Sequence, residues 1–350
     1  MKKVIEYYKK YPPNVLTPER ALRRIAGYIY ADGRNPFESN QLVFINTKRE
    51  FLKDFHLCIN VVSKALNLGY RAKAYALVKQ NYPVEFKKFI RSVEETLSIK
   101  VKILEYEKIP HFQLRPVIQL TYSGPLAKFI VRLLKTPRMD LSVDGLATYL
   151  NGDGYWQIRG DKKGLIMYAK EPDIRIINIL AKQIKKWYGL TLGITKLKGI
   201  NSYRVHFSLS IFTTASLLIY GCIKAKGAMM WHINNNRYFK YIDKLPDVFS
   251  IRDPVVKRIF GSSSRLRRLR RNGYIEYVYM SKGNKPSLYQ LTPLFKILRE
   301  AVIMAKCSSN TAQIYPLSES ELIEENLTIV YETRIEELIS ELLGRNYRTL

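Results

Sequence analysis

Two stretches of this chain share one pattern: IAGYIYADG at residues 25–33 and LATYLNGDG at residues 146–154. Each is an apolar segment with helical spacing that ends in Asp-Gly. Small residues fall at matching places, in the pairs Ala26 and Ala147, Gly27 and Thr148, and Ala31 and Gly152. The separation of Asp32 from Asp153 is about one domain length, which indicates a duplication rather than a solenoid.

The segments after each Asp-Gly also correspond. An apolar run (residues 41–48, then 164–170) precedes a helix-period segment (49–70, then 171–190). Two strand-type runs and a closing helix follow in each half, so we predict helix, two strands, helix, two strands, helix. The first half carries about 30 extra residues around 82–97, which is long enough for one helix and its loops. These are either an added helix or the true second helix, with 34–70 inserted instead.

Composition favours a globular protein with a polyanionic partner. Hydrophobic residues make up 47% of the 350, and 58 Lys and Arg against 30 Asp and Glu leave a net charge of +28. Such self-repulsion is typical of proteins that bind polyanions. Three scattered cysteines and four dispersed histidines favour neither a disulfide framework nor a zinc site. We see no signal peptide and no membrane-spanning run, and expect a soluble cytoplasmic protein.

The pattern changes after residue 233. KYIDKLPDVFS (240–250), RDPVVKRIFG (252–261) and SSSRLRRLRRNGY (262–274) are predicted to be short helices, and residues 275–292 a hairpin with its tip at Gly283-Asn284. Three helices and a basic hairpin are typical of a winged helix-turn-helix. Residues 293–343 have helical spacing, and 317–350 hold eight Glu and three Arg, so this end is acidic.

Over residues 15–225 the two motifs and the elements after them resemble the double-motif LAGLIDADG homing endonucleases. The resemblance implies an α+β fold of two pseudo-symmetric αββαββα half-domains, at 1–137 and 138–228. A winged-helix domain (233–300) and a helical acidic segment (301–350) would follow. Tyr30, Asn151 and Thr148 depart from the family motif, but none of them removes a carboxylate.

The motif has a chemical reason. Helices that touch need small residues in their contact face, and their proximity brings Asp32 and Asp153 together at the helix ends. Like charges that close repel unless a cation lies between them. Mg²⁺ (or Mn²⁺) suits such oxygen ligands and supports phosphodiester hydrolysis. The resemblance implies that each Asp serves one DNA strand and that the carbonyls of Ala31 and Gly152 share in metal binding.

Basic residues complete the expected site. Lys48 and Lys170 follow their aspartates at nearly the same offset, and we expect them to stabilise charge on the phosphate. The family often has Gln or Asn just before this residue, where this chain has Thr47 and Ala169. Alternating basic and aromatic strand residues suit a saddle in the DNA major groove. The candidate DNA-binding residues are Arg34, Gln157, Arg159, Lys79, Arg115, Lys196, Lys198, Arg204, Arg265, Arg267, Arg268, Arg270, Arg271, Lys282 and Lys285.

These observations predict a monomeric, site-specific double-strand DNA endonuclease, free-standing or intron-encoded. The ends of the chain show no protein-splicing residues. Two alternatives stay open. One is a maturase that binds structured intron RNA on the same basic saddle, and the other is a transcription regulator that binds DNA without cutting it. The paired aspartates favour the nuclease, because a scaffold without catalysis has no need of two close acids beside a polyanion.

Overall fold

A computed structural model describes residues 1–79, 82–105, 116–136, 139–158, 164–197, 202–236, 239–261, 263–279, 287–307, 327–331 and 337–340. Within these ranges the protein is a mixed α+β structure, as predicted. None of the helices in these ranges is long and apolar enough to cross a membrane.

The first half is built on a four-stranded sheet. Its elements are α1 (Lys2–Lys10), β1 (Val15–Leu16), α2 (Pro18–Asp32), β2 (Leu42–Asn46), α3 (Arg49–Leu66), β3 (Arg71–Val78), α4 (Val84–Leu97), β4 (Val101–Glu105), β5 (Val117–Ser123) and α5 (Pro125–Leu134). The strand order is β2-β5-β3-β4. β3 and β4 are parallel, whereas the other neighbours are antiparallel. Parallel strands need a crossover connection, and α4 provides it.

The predicted αββαββα order is wrong for this half. β4 and β5 do not pair with each other, because β3 lies between them. After α2, only an isolated bridge from Gly33 to Phe44 stands where a strand was predicted. β3 escaped prediction because its sequence, RAKAYALV, is rich in alanine, which has a low strand propensity. Of the two readings of residues 82–97, the added helix is correct.

The second half has the predicted element order. It consists of α6 (Ser142–Gly152), β6 (Gly154–Ile158), β7 (Leu165–Glu171), α7 (Ile174–Tyr188), β8 (Gly193–Lys196), β9 (Tyr203–Leu209) and α8 (Ile211–Ile219). The sheet order is β6-β7-β9-β8, and every pair is antiparallel. Asp173 caps the N-terminus of α7, and Gly189, at φ +68°, ends it in the left-handed conformation that glycine favours.

A further set of elements follows. They are α9 (Ala225–Asn234), a 3-10 helix (Phe239–Lys244), β10 (Val248–Ser250), α10 (Pro254–Phe260), α11 (Ser263–Arg271), β11 (Ile275–Tyr279), β12 (Leu288–Leu291), α12 (Pro293–Cys307) and β13 (Thr328–Ile329). The strands form a sheet of order β10-β12-β11, and β13 pairs with β1 in parallel. α12 packs against α8, α9 and α1.

Two predictions for this region are wrong. Residues 240–250 are not one helix, because Pro246 interrupts the helical hydrogen bonds and Val248 and Phe249 then join a sheet. The helical pattern of 293–343 also fails at β13, where Thr328 and Ile329 extend beside β1. The predicted hairpin tip, and most of the acidic segment, lie outside the described residues.

α2 and α6 pack backbone against backbone. A Cβ at Gly27 would overlap the carbonyl oxygen of Gly145 and Oγ1 of Thr148, and a Cβ at Gly145 would lie 2.7 Å from the carbonyl oxygen of Arg23. Thr148 occupies the place where the family has glycine, and its hydroxyl lies 3.1 Å from the carbonyl oxygen of Arg24 on the facing helix. The small residues therefore form the helix contact that the sequence predicts.

A buried ion pair locks the other end of this helix pair. Arg20 of α2 donates to both carboxylate oxygens of Asp144 on α6, at 3.0 and 2.8 Å. The hydroxyl of Tyr7, on α1, donates to the same carboxylate at 2.5 Å. Arg20 holds the pKa of Asp144 below its usual range, although burial alone would raise it. This fully buried network sets the relative position of the two helices that carry the candidate site.

Candidate functional site

Asp32 and Asp153 lie at the adjoining C-terminal ends of α2 and α6. The side chain of Asp32 rests against Gly152, where a Cβ would lie only 2.5 Å from Oδ2 of Asp32. After each aspartate the chain enters a sheet, since Gly33 bridges to Phe44 and Gly154 pairs with Ala169. The motif pair thus brings the two predicted acids together.

Both carboxyl groups are hard to ionise in this environment. Burial raises the pKa of Asp32 to about 6, although Lys224, Asn46 and Lys48 each lower it. Burial and then the charge of Asp32 raise the pKa of Asp153 to about 7. Such values are expected where two half-buried carboxylates lie close together and a cation is needed to balance them.

Asn46 is a site residue that the sequence analysis missed. Its Nδ2 donates to Oδ2 of Asp32 at 2.9 Å, and its Oδ1 accepts from the backbone N–H of Lys48 at 2.9 Å. It therefore orients the carboxylate of Asp32 and the entry into α3. The family resemblance predicts an amide at position 47, where the chain has Thr47; the amide is one residue earlier, at Asn46.

The pairing register identifies the counterpart of Asn46 in the second half. Asn46 is two residues beyond Phe44, the partner of Gly33, and Glu171 is two residues beyond Ala169, the partner of Gly154. Glu171 is also buried and lies against Asp153. Burial and then Asp153 raise the pKa of Glu171 to about 8. The second half thus has a carboxyl group where the first has an amide.

The register also separates Lys48 from Lys170. Lys48 is the N-cap of α3, and the matching N-cap of α7 is Asp173. Lys48 lowers the pKa of Asp32 and so lies near the acid pair. Lys170 is exposed on the face of β7 opposite Glu171, paired with Arg204. The similar sequence offsets of the two lysines do not correspond to equivalent positions.

Lys224, in the connection between α8 and α9, is a second residue that the sequence analysis missed. Its Nζ donates to the carbonyl oxygen of Gly152 at 2.5 Å. Its charge lowers the pKa of Asp32 and that of Asp153, although the larger effect of burial leaves both pKa values raised. No signal near the motifs points to it, because it lies about 70 residues further along the chain and arrives through the tertiary fold.

The donor set fits a hard divalent ion. The carboxylates of Asp32 and Asp153 and the main-chain carbonyls of Ala31 and Gly152 are oxygen ligands of the kind that Mg²⁺ and Mn²⁺ take. Among the residues that the structure describes, no three or more His, Cys, Asp or Glu side chains converge on one metal-binding point. Any metal here would therefore depend on the two aspartates, carbonyls and water.

The outer face of the second sheet, opposite its buried face, is polar and aromatic. It carries Tyr155, Gln157, Tyr168, Lys170, Arg204 and His206. The ring of Tyr168 stacks on Tyr155 at 5.1 Å between centroids, accepts a hydrogen bond from Gln157 at its hydroxyl, and lies under the guanidinium of Arg204 at 5.3 Å. Lys196 pairs with Tyr203 and so lies on the other face of the sheet.

The outer face of the first sheet is also basic. Its exposed or half-buried residues include Arg71, Lys73, Tyr75, Lys102, Gln119 and Thr121. Arg71 and Lys73 were missed because β3 was not predicted, whereas Lys102 lies on β4 and reaches this face through its pairing with Tyr75. Lys79 directly follows β3, and Arg34 follows Gly33 with its side chain hydrogen-bonded to Gln41.

α11 carries most of its arginines on an exposed surface. Arg267, Arg268 and Arg271 are exposed, and Arg270 lies 4.6 Å from the ring centre of Tyr277. Arg265 differs, since its Nη1 donates to the carbonyl oxygen of Phe260 at the end of α10. The remaining candidate residues lie outside the described part of the chain; they are Arg115, Arg159, Lys198, Lys282 and Lys285.

Comparison with known proteins finds similar folds at low similarity. No family model and no curated protein matches the chain. The homing endonuclease I-DmoI, in complex with DNA and Ca, is 10% identical with a TM-score of 0.36 over 55% of this chain and 85% of that one. The N-terminal LAGLIDADG domain of WhiA is 13% identical with a TM-score of 0.35 over 63% and 89%.

Full-length WhiA from Thermatoga maritima is similar over a longer range. It is 13% identical, with a TM-score of 0.36 over 87% of this chain and 97% of that one. Similarity at this level leaves the activity of the present chain to be argued from its own residues.

Proposed function

We propose that this chain is a monomeric, intron-encoded or free-standing endonuclease that cuts both strands of a specific DNA site with Mg²⁺ or Mn²⁺. The observation that carries the proposal is the pair of half-buried aspartates at the ends of two touching helices. Burial raises the pKa of Asp32 and that of Asp153 by more than Lys224 and the other nearby polar groups lower them, so ionising the pair is unfavourable. Two acids kept at such a cost are typical of a functional site.

Each residue has a defined role in the proposed reaction. Asp32 and Asp153 would hold a divalent ion, each serving one strand, and the bound ion would activate water and offset charge on the scissile phosphate. Asn46 keeps the carboxylate of Asp32 in place. Lys48, exposed beside Asp32, offers its ammonium group to the phosphate oxygens. We assign Lys170 to DNA backbone contact, because it shares the outer face with Arg204.

DNA binding is proposed for the outer faces of both sheets and for α11. Stacked tyrosines beside Arg204 offer contacts to base edges and phosphates, and Lys73 and Lys102 extend the positive charge. α10, α11 and the strands β11 and β12 are proposed to form a winged helix, in which exposed arginines contact phosphates. We also propose that the two halves are related by pseudo-symmetry.

The test is cleavage of a plasmid library of candidate sites by the full chain, with Mg²⁺, Mn²⁺ or EDTA. Asp32→Asn and Asp153→Asn should each abolish double-strand cutting, while DNA binding in Ca²⁺ persists. Glu85→Gln, at an exposed carboxyl on α4, is the matched control and should cut like the unaltered protein. Cleavage by either Asn variant at the unaltered rate would refute the assignment.

The second candidate is a DNA-binding regulator that does not cleave. It is favoured by Lys224, whose ammonium group binds the carbonyl of Gly152 that a metal would need. It is also favoured by Glu171 and Asp173, which stand where the first half has Asn46 and Lys48. Specific binding that EDTA leaves unchanged, without cleavage in either metal, would establish this function instead.

A further inference from the structure

The connection between α8 and α9 is fastened to both motif helices. The carbonyl of Tyr220 accepts from Nη1 of Arg24 on α2 at 3.0 Å. The carbonyl of Gly221 accepts from Nδ2 of Asn151 on α6 at 2.6 Å. Gly221 itself has φ +97°, a conformation that requires glycine for such a turn. Asn151, a departure from the family motif, thus holds the connection that carries Lys224.

This connection delivers one positive charge to the acid pair. Nζ of half-buried Lys224 donates to the carbonyl oxygen of Gly152, next to Asp153 in the chain and against the side chain of Asp32. Burial is the main cause that lowers the pKa of Lys224, followed by the charge of Lys48, while Asp32 and Asp153 raise it. Its charge offsets part of the repulsion between the acids.

We propose that Lys224 is the resident cation of the metal-free site, and that a divalent ion binds only when Nζ of Lys224 leaves the carbonyl of Gly152. An ammonium group and a divalent ion do not bind this carbonyl oxygen together, because two cations at contact distance repel each other strongly. A divalent ion therefore competes with the ammonium group of Lys224 for this position. The connection that Asn151 holds must move when the metal binds. The inference rests on the metal site of the proposed function.

Competition has a direct consequence for affinity. Removing the ammonium group removes a competitor and, at a pH where both aspartates are ionised, leaves their negative charge without this opposing cation. An opposite charge at this distance lowers the pKa of a carboxylate by about one to three units. One unit corresponds to about a tenfold change in an equilibrium constant. We therefore expect Lys224→Met, which keeps the length of the side chain, to bind a divalent ion about tenfold or more tightly.

The experiment is titration of the full chain with Mn²⁺ in the absence of DNA. Binding is measured by calorimetry and by the electron paramagnetic resonance signal of free Mn²⁺. Lys224→Met is compared with Lys226→Met, the same charge change two residues away. Asn151→Ala is a second variant, since it loosens the connection but keeps the lysine. Circular dichroism reports whether each variant is folded.

Tighter Mn²⁺ binding in Lys224→Met and Asn151→Ala, but not in Lys226→Met, would support the competition. Equal or weaker binding in Lys224→Met, with Mn²⁺ still lost in Asp32→Asn, would overturn it and leave the metal site standing. If folded Lys224→Met and the unaltered protein both fail to bind Mn²⁺, the metal site of the proposed function is wrong and the inference fails with it. Failure of the competition and failure of the metal site therefore give different results.

Discussion

Three carboxyl groups, those of Asp32, Asp153 and Glu171, have a raised pKa in the folded protein, chiefly because they are buried. These three groups therefore hold more protons in the folded protein than in the unfolded chain from about pH 4 to about pH 8, whereas burial lowers the pKa of His56 and His232, which opposes this effect below about pH 6.5. The contribution of the three carboxyl groups to stability is complete below the unfolded pKa and is lost as pH rises through the folded values of about 6, 7 and 8. The metal-free protein should thus become easier to unfold across this range.

Thermal unfolding in EDTA from pH 5 to pH 8 tests this expectation. The midpoint should fall with pH, and Asp153→Asn should flatten the fall, because it removes one titrating group and its repulsion of Asp32 and Glu171. Mn²⁺ should raise the midpoint more at pH 8 than at pH 5. An unfolding midpoint that rises from pH 5 to pH 8 would contradict the raised pKa values of these carboxyl groups. Glu85→Gln should reproduce the unaltered curve.

The sequence predicted the acid pair and Lys48 but not Asn46, Glu171 or Lys224. Asp32 and Asp153 are the eighth residues of a repeated nonapeptide, so they are visible in the chain. Asn46 and Glu171 become equivalent only through strand pairing, since unequal loops place them at different distances from their aspartates. Lys224 reaches the site only because α8 packs against α6 and the connection after α8 returns to Gly152. Tertiary contacts of this kind leave no local pattern.

The contact of α2 with α6 depends on the absence of side chains. Gly27→Ala would place a methyl group on the carbonyl oxygen of Gly145 and on Oγ1 of Thr148. The helices must then separate, which should lower the free energy of unfolding by about 1–3 kcal/mol or more. Separation should also weaken Mn²⁺ binding, because it moves Asp32 away from Asp153.

Denaturant unfolding and Mn²⁺ titration of the full chain measure both effects. Gly69→Ala is the matched control, because a Cβ at Gly69 would meet no atom within 4 Å. We expect Gly69→Ala to unfold like the unaltered protein and to bind Mn²⁺ equally. If the two variants behave alike, the close helix contact is not required for the site.

Elements with strong periodicity were predictable, whereas their pairing was not. α3, α7 and the strands of the second half follow directly from apolar spacing and β-branched runs. β3 was missed because alanines alternate with polar residues along it. Without β3, β4 and β5 had no other partner than each other. One unrecognised strand thus changed the predicted topology of the first half.

α12 joins the C-terminal region to the rest of the molecule. Its buried residues face α8, α9 and α1, and Tyr8 on α1 donates to Oε1 of Glu300 at 2.6 Å. Residues 233–300 are predicted to form a domain of their own. Because α12 packs against α8, a truncation before α12 would uncover apolar residues of α8. Point substitutions are therefore the better test of how the regions depend on each other.

Ile297 and Ile303 offer that test on one helix. Ile297 of α12 is fully buried, whereas Ile303 is 40% exposed. Ile297→Ala should lower the free energy of unfolding by about 2–5 kcal/mol, the usual loss for a buried aliphatic side chain. Ile303→Ala should change it by no more than about 0.5 kcal/mol.

Tryptophan fluorescence shows which region responds, because Trp156, Trp187 and Trp231 are the three tryptophans and all precede α12. If α12 and the second half unfold together, Ile297→Ala should shift the fluorescence transition as far as the loss of helical circular dichroism. A shift in circular dichroism that leaves the fluorescence transition in place would show an independent C-terminal domain. In that case the contacts of α12 with α8 and α1 would add little to stability.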